Sequence, residues 1–199
     1  AGSFGVVEGY APIVYTATNP EGKGTLLENV NRLNGLRRAQ YSPDGTAKDF
    51  VLAELNVDEV LSVEGTDISW TFADNKVTFS TAPTQGTNTV TIKYRKGNGA
   101  RAEVEAMRFS ELYNGTTDSR VFLYGDGSNK IIYSGLDDQG VASAEYFPDL
   151  YEALIGEANT PVTSLVRHYS KLLAFKTDSA YSIQYGTITL DSGMTTAAF

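Results

Sequence analysis

The chain alternates apolar and polar residues with a period of two, and turn residues break the pattern at short intervals. That periodicity predicts strands rather than helices. Ile68, Trp70 and Phe72 share one face of a strand, Asp74-Asn75 supplies a turn, and Val77-Thr78-Phe79 returns as the second arm of a hairpin. A breaker-rich loop, Ala82-Pro83-Thr84-Gln85-Gly86, leads to Val90-Thr91-Ile92-Lys93-Tyr94, where alternation resumes. With Phe50-Val51-Leu52 and Val60-Leu61-Ser62-Val63, these strands predict a small immunoglobulin-like two-sheet sandwich over residues 39–97. Its expected core is Trp70, Phe72, Phe79, Ile92 and Tyr94, and Trp70→Ala is expected to cost about 3–5 kcal/mol. Lys96-Gly97-Asn98-Gly99 reads as the exit.

Residues 98–199 have a different texture. Val121-Phe122-Leu123-Tyr124 is apolar on both faces and turns through Gly125 to Asn129 into Ile131-Ile132-Tyr133. Thr163 to Val166, Lys171 to Phe175 and Tyr181 to Tyr185 then form an antiparallel meander, the pattern of one blade and part of another in a β-propeller. Residues 1–38 read as a linker or docking segment with a short helix from Leu26 to Leu33, in which Thr25 and Glu28 make a capping box. A second helical turn is expected near Leu150 to Ile155. The fold class expected is all-β.

Composition narrows the function classes. A chain of 199 residues can bury a sizeable core, no apolar run reaches bilayer length, and the absence of cysteine removes disulfides, thiolate chemistry and cysteine-ligated zinc. A formal net charge of −8 opposes a nucleic-acid-coating role, and Arg37-Arg38 is the tightest basic pair. Ala1 to Gly5 show no basic region followed by an apolar run, hence no signal peptide, and the chain reads as though cut from something larger.

No candidate chemistry outweighs its plain reading. His168 is the single histidine and falls in a turn, without a second imidazole or a nucleophile beside it. Asp126 to Asn129 lack the bidentate glutamate of a calcium loop, and Gly22-Lys23-Gly24-Thr25 lack the upstream glycine of a phosphate loop. Asp137-Asp138, Glu8, Glu103 and Glu105 could in principle supply paired carboxylates for glycoside hydrolysis, but the sequence does not place them face to face and solvated faces are the commoner outcome. Asn114-Gly115-Thr116 matches a glycosylation sequon without functional weight. No catalytic residue, cofactor or metal is expected, and alanine at His168, Asp126, Asp137 or Asp138 is expected to abolish no turnover. Among twelve tyrosines, the run Tyr146-Phe147-Pro148 with Tyr151 is the candidate docking surface.

Tyr41-Ser42-Pro43-Asp44-Gly45-Thr46 to Leu52, Lys76 to Phe79, Thr81-Ala82-Pro83, Gly86 and Val90 to Tyr94 resemble a small β module of phage tail and tail-fibre proteins. Arg120 to Gly125, Tyr133-Ser134-Gly135, Tyr146 to Asp149, Thr160 to Leu165, Leu172 to Phe175 and Ala180 to Tyr185 are similar to propeller-like phage and prophage proteins, including the stabilisation or tail accessory proteins of short-tailed phages. The resemblance implies a non-enzymatic virion protein of the tail or head-to-tail junction, assembled in the bacterial cytoplasm. Its implied partners are other virion proteins, missing blades of the same polypeptide or a second copy, with neither nucleic acid nor membrane. A carbohydrate- or receptor-binding adhesion module is the alternative.

Overall fold

The computed structural model describes residues 9–27, 30–113, 115, 119–189 and 195–199. Among the described residues the fold is all-β apart from one short helix, and the chain divides into two compact units, Ala1–Gly99 and Ala100–Phe199.

The first unit is a two-sheet sandwich. One sheet has the order β2 (Thr25–Leu26), β1 (Ile13–Thr18), β3 (Leu36–Tyr41), β8 (Val90–Arg95), β5 (Glu59–Glu64); the other has β4 (Asp49–Val51), β7 (Lys76–Phe79), β6 (Trp70–Ala73). β1 runs parallel to β3, with two breaks in register, and the other pairings are antiparallel. Alternation drives the packing: Ala39 and Tyr41, Val77 and Phe79, and Val90, Ile92 and Tyr94 all turn inward around Phe50 and Leu52. Gly65 lets β5 leave the sheet beside β8, because its φ is +86° and a Cβ there would lie 1.8 Å from the Thr89 carbonyl oxygen.

Two expectations are corrected here. Residues 13–18 and 25–26 are strands of the sandwich sheet, so the segment before residue 39 contributes structure to the module. Among the described residues from Leu26 to Leu33 there is no helix, because Thr25 and Leu26 pair with Thr16 and Tyr15 instead. Glu28 lies outside the described residues. Trp70 and Phe72 pack against the core but are only half-buried, since β6 is an edge strand.

The second unit opens with a one-turn helix, α1 (Arg101–Glu105), then β9 (Phe109–Tyr113), β10 (Arg120–Tyr124), β11 (Lys130–Tyr133) and β12 (Glu152–Leu154), an antiparallel meander of four strands in chain order. The expected helical turn near Leu150 to Ile155 is instead strand β12, paired with β11. A second meander follows, β13 (Val162–His168), β14 (Lys171–Lys176) and β15 (Ala180–Gln184), then a hairpin of β16 (Gly186–Thr189) and β17 (Thr195–Ala198). Tyr113, Phe122, Tyr124 and Ile131 from the first meander share one core with Leu165, Leu172, Ala174 and Ile183 from the second. Among the described residues no barrel or propeller closes.

Candidate functional site

Strand alternation gives each sheet of the second unit two distinct faces. In the four-stranded sheet, Leu112 pairs with Val121 and Leu123 with Ile132, and this row points away from the shared core. Ile132 is buried, Val121 and Leu123 are half-buried, and Leu112 and Leu154 at the two edges are 56% and 65% exposed. In the three-stranded sheet, Val166 pairs with Leu173, and Phe175 stands between Ser164 and Ala180, again on the side away from the core. Val166 is 44% and Phe175 37% exposed. A two-layer antiparallel structure ordinarily presents polar outer faces. Here both outer faces are mixed: exposed branched and aromatic side chains stand beside Ser110, Lys130 and Glu152 on one sheet and beside Ser164, Lys171, Ser182 and Gln184 on the other.

The residues expected to dock a partner lie elsewhere. Tyr146, Phe147 and Pro148 are buried, Tyr146 accepts a backbone bond from Gly135 at 2.8 Å, and a Cβ on Gly135 would sit 2.6 Å from the Tyr146 ring and 2.8 Å from Pro148. Glycine at 135 is what lets this loop fold down. Tyr151 is half-buried, with its ring centroid 5.1 Å from Tyr133 and beneath the Arg120 guanidinium at 5.4 Å. Arg120 is itself 2% exposed and donates from Nη1 to the Ser134 carbonyl at 2.8 Å. The aromatic loop is therefore internal packing around a buried arginine, which corrects the reading of Tyr146, Phe147, Pro148 and Tyr151 as an exposed docking surface.

The chemical candidates stay apart and have structural work. Asp126 accepts from the Ser128 N–H and hydroxyl in a turn, and Asp137 accepts from the N–H groups of Gln139 and Val141. His168 is exposed at the β13–β14 hairpin, its ring edge-on to Tyr169. Glu103 pairs with Lys130 at 3.6 Å, Glu105 with Arg101 at 3.4 Å, and Lys23 with Glu21 at 3.3 Å on the surface. Glu8, Asn114 and Thr116 lie outside the described residues. Among the described residues no group of three or more histidines or carboxylates is placed to hold a metal ion, and no helix is long and apolar enough to cross a membrane.

Sequence reasoning missed the most elaborate polar cluster. Glu54, outside any strand, accepts from Arg37 Nη1 at 2.5 Å, from the Tyr94 hydroxyl at 2.8 Å and from Lys96 at 3.4 Å. Burial opposes ionisation of Glu54, but those bonds and the two cations outweigh it and hold the carboxyl below its ordinary range. The Tyr94 hydroxyl is pushed up by burial and by the Glu54 charge. Arg38 donates to the Ala11 carbonyl and the Tyr10 hydroxyl, so both arginines of the basic pair are spent on the fold. A surface groove of about 200 Å³ is lined by Ser69, Trp70, Thr71, Thr78, Phe79 and Ser80. No family model, curated protein or solved structure matches the chain.

Proposed function

We propose that this chain is a structural component of a tailed-phage virion, at the tail or the head-to-tail junction, and that it works through protein–protein contacts. The observation that carries the reading is the set of exposed apolar side chains on the outer faces of the second unit, Leu112 and Leu154 with half-buried Val121 and Leu123 on one sheet and Val166, Leu173 and Phe175 on the other, among polar neighbours. Faces of that kind gain free energy when another layer covers them, on the order of 25 cal/mol per Å² of apolar area. What supports the blade-like part of the reading is the four-stranded meander followed by a second meander on the same core. In this reading the covering layers are further blades of the same polypeptide or neighbouring virion proteins, and the sandwich is an accessory module. Quantitative peptide mass spectrometry of gradient-purified tailed particles, from a host that carries the gene, should find the chain at a fixed ratio to the major tail protein. Particles that assemble and infect without it would exclude the role.

A second reading, a carbohydrate-binding adhesion module, has one observation behind it. The groove along β6 and β7 is lined by the hydroxyl-bearing residues Ser69, Thr71, Thr78 and Ser80, with Trp70 and Phe79 between them in the strands. Sugar sites draw on such convergent polar groups. Binding on a glycan array that Thr71→Ala removes, while the melting transition survives, would favour adhesion over the structural role.

A further inference from the structure

Among the described residues, the edges of the sheets of three or more strands are protected in recognisable ways, with one exception. An open edge offers a row of unpaired N–H and C=O groups to any other strand, and natural proteins blunt edges with charge, proline, bulges or brevity. β2 has two residues, β4 and β12 have three each, and β6 has four. β5 is flanked by Glu59 and Glu64 and breaks register between Val60 and Ser62. β9 carries Glu111 and lies against β13, which itself ends in Arg167-His168. β15 has none of these devices. Ala180-Tyr181-Ser182-Ile183-Gln184 contains no charge and no proline, keeps unbroken register with β14 over all five residues, and among the described residues has no strand on its other side.

The sequence of that edge is also complementary to itself. In an antiparallel pair centred on Ser182, Tyr181 of each copy stands opposite Ile183 of the other, and Ala180 opposite Gln184, while Ser182 meets Ser182. Tyr181 and Ile183 lie on the core side of the sheet, where Ile183 belongs to the shared core, so the two aromatic–aliphatic cross-strand pairs would prolong that core. Such pairs contribute roughly 0.2–1 kcal/mol each beyond the backbone bonds, and no like charges oppose one another. We propose that β15 is a self-pairing edge, through which a second copy of the chain joins by a two-fold axis at Ser182 to make one continuous six-stranded sheet. An interface of this type uses the same patch on both copies and closes as a dimer. It is independent of the apolar faces and of the virion assignment. Because each copy carries a net charge of −8, the dimer should tighten as salt rises and repulsion between the copies is screened.

The chain contains no cysteine, so a single introduced thiol reports this geometry cleanly. Directly opposed residues of an antiparallel pair have Cα atoms about 4.5–5.5 Å apart, inside the range a disulfide spans. The full-length Ser182→Cys variant under mild oxidation should convert to a covalent dimer, while Thr71→Cys on the exposed β6 edge should remain a monomer. Sedimentation of the unmodified chain at tens of micromolar should show a concentration-dependent dimer, which Ser182→Lys and Ser182→Glu each dissolve and a mixture of the two restores. A monomer throughout that range, a dimer indifferent to Ser182→Lys, or cross-linking at Thr71 rather than Ser182 would overturn the proposal.

Discussion

Phe50 is fully buried, with ring centroids 5.4 Å from Tyr41 and 5.0 Å from Phe79 in tilted and edge-on contacts. Its loss opens a cavity that neighbours from two sheets cannot fill, so Phe50→Ala should cost about 3–5 kcal/mol. Trp70 was the residue its size singled out in the sequence, but its ring is half-buried on an edge strand and part of it already meets water. Trp70→Ala should therefore cost less than Phe50→Ala, and parallel urea melts at one pH check the order. Residue type was legible here and depth was not, because depth depends on which strand ends at the sheet edge. Glu54 was illegible for a related reason: its partners Arg37, Tyr94 and Lys96 come from β3 and the end of β8, far away in the chain. Its lowered folded-state pKa means that its contribution is complete above the ordinary carboxylate value of 4.5 and is lost as pH falls through the lower folded value. Tyr94, raised in the folded state, acts with the opposite sign, and its contribution is full below pH 10 and declines as pH rises beyond it. Glu54→Gln should cost about 1–3 kcal/mol at neutral pH and flatten the acid limb of the stability profile, as denaturant midpoints across the pH range would show. An acid limb identical to wild type would mean that other carboxylates set it.

The β6–β7 hairpin was the element most legible in the sequence, since a polar Asp74-Asn75 pair between alternating arms leaves little choice of register. Ala73 pairs with Lys76, the loop is two residues long, and φ is 51° at Asp74 and 59° at Asn75, the left-handed pair that a tight hairpin with matching twist needs. The two positions differ in what their side chains do. Asn75 donates from Nδ2 to the carbonyls of Leu52 at 3.2 Å and Glu54 at 2.8 Å, tying the turn to the segment after β4. Asp74 is exposed. Asp74→Gly should leave stability unchanged or raise it by a few tenths of a kcal/mol, through relief of the positive φ. Asn75→Asp should cost about 1–3 kcal/mol, because it replaces a donor with an acceptor facing two carbonyl oxygens. Thermal melts of the pair check the contrast, and equal effects would show that the turn geometry alone matters. β1 was missed for the converse reason. Its parallel partner β3, two register breaks and a positive φ of 51° at Ala17 leave no clean alternation to read in Ile13–Thr18. The loop at Tyr146 to Pro148 reads as a surface aromatic cluster until Gly135, eleven residues earlier, is seen to make room for it.

At the scale of the whole chain, the two compact units divide at Gly99, and each has its own core. The first is built from Phe50, Leu52, Val77, Phe79, Ile92 and Tyr94, the second from Tyr113, Phe122, Ile131, Leu165, Leu172 and Ile183, with no residue in both. A core that is complete within one unit can be lost without exposing the other, so local stability should follow the units. Phe50→Ala should lower the protection of amides in β3, β7 and β8 by the full cost of the cavity. The amides of β10, β11 and β14 should exchange at wild-type rates. In the reciprocal experiment Phe122→Ala, which removes a buried ring stacked on Tyr133 at 5.3 Å and edge-on to Tyr113 at 5.8 Å, should accelerate exchange in β10, β11 and β14 and spare the sandwich. The measurement is native-state hydrogen exchange on the intact chain, read by peptide mass spectrometry. Equal loss of protection in both units from either substitution would show that they unfold as one cooperative body, and the two cores would then have to be treated as a single folding unit despite their separate residues.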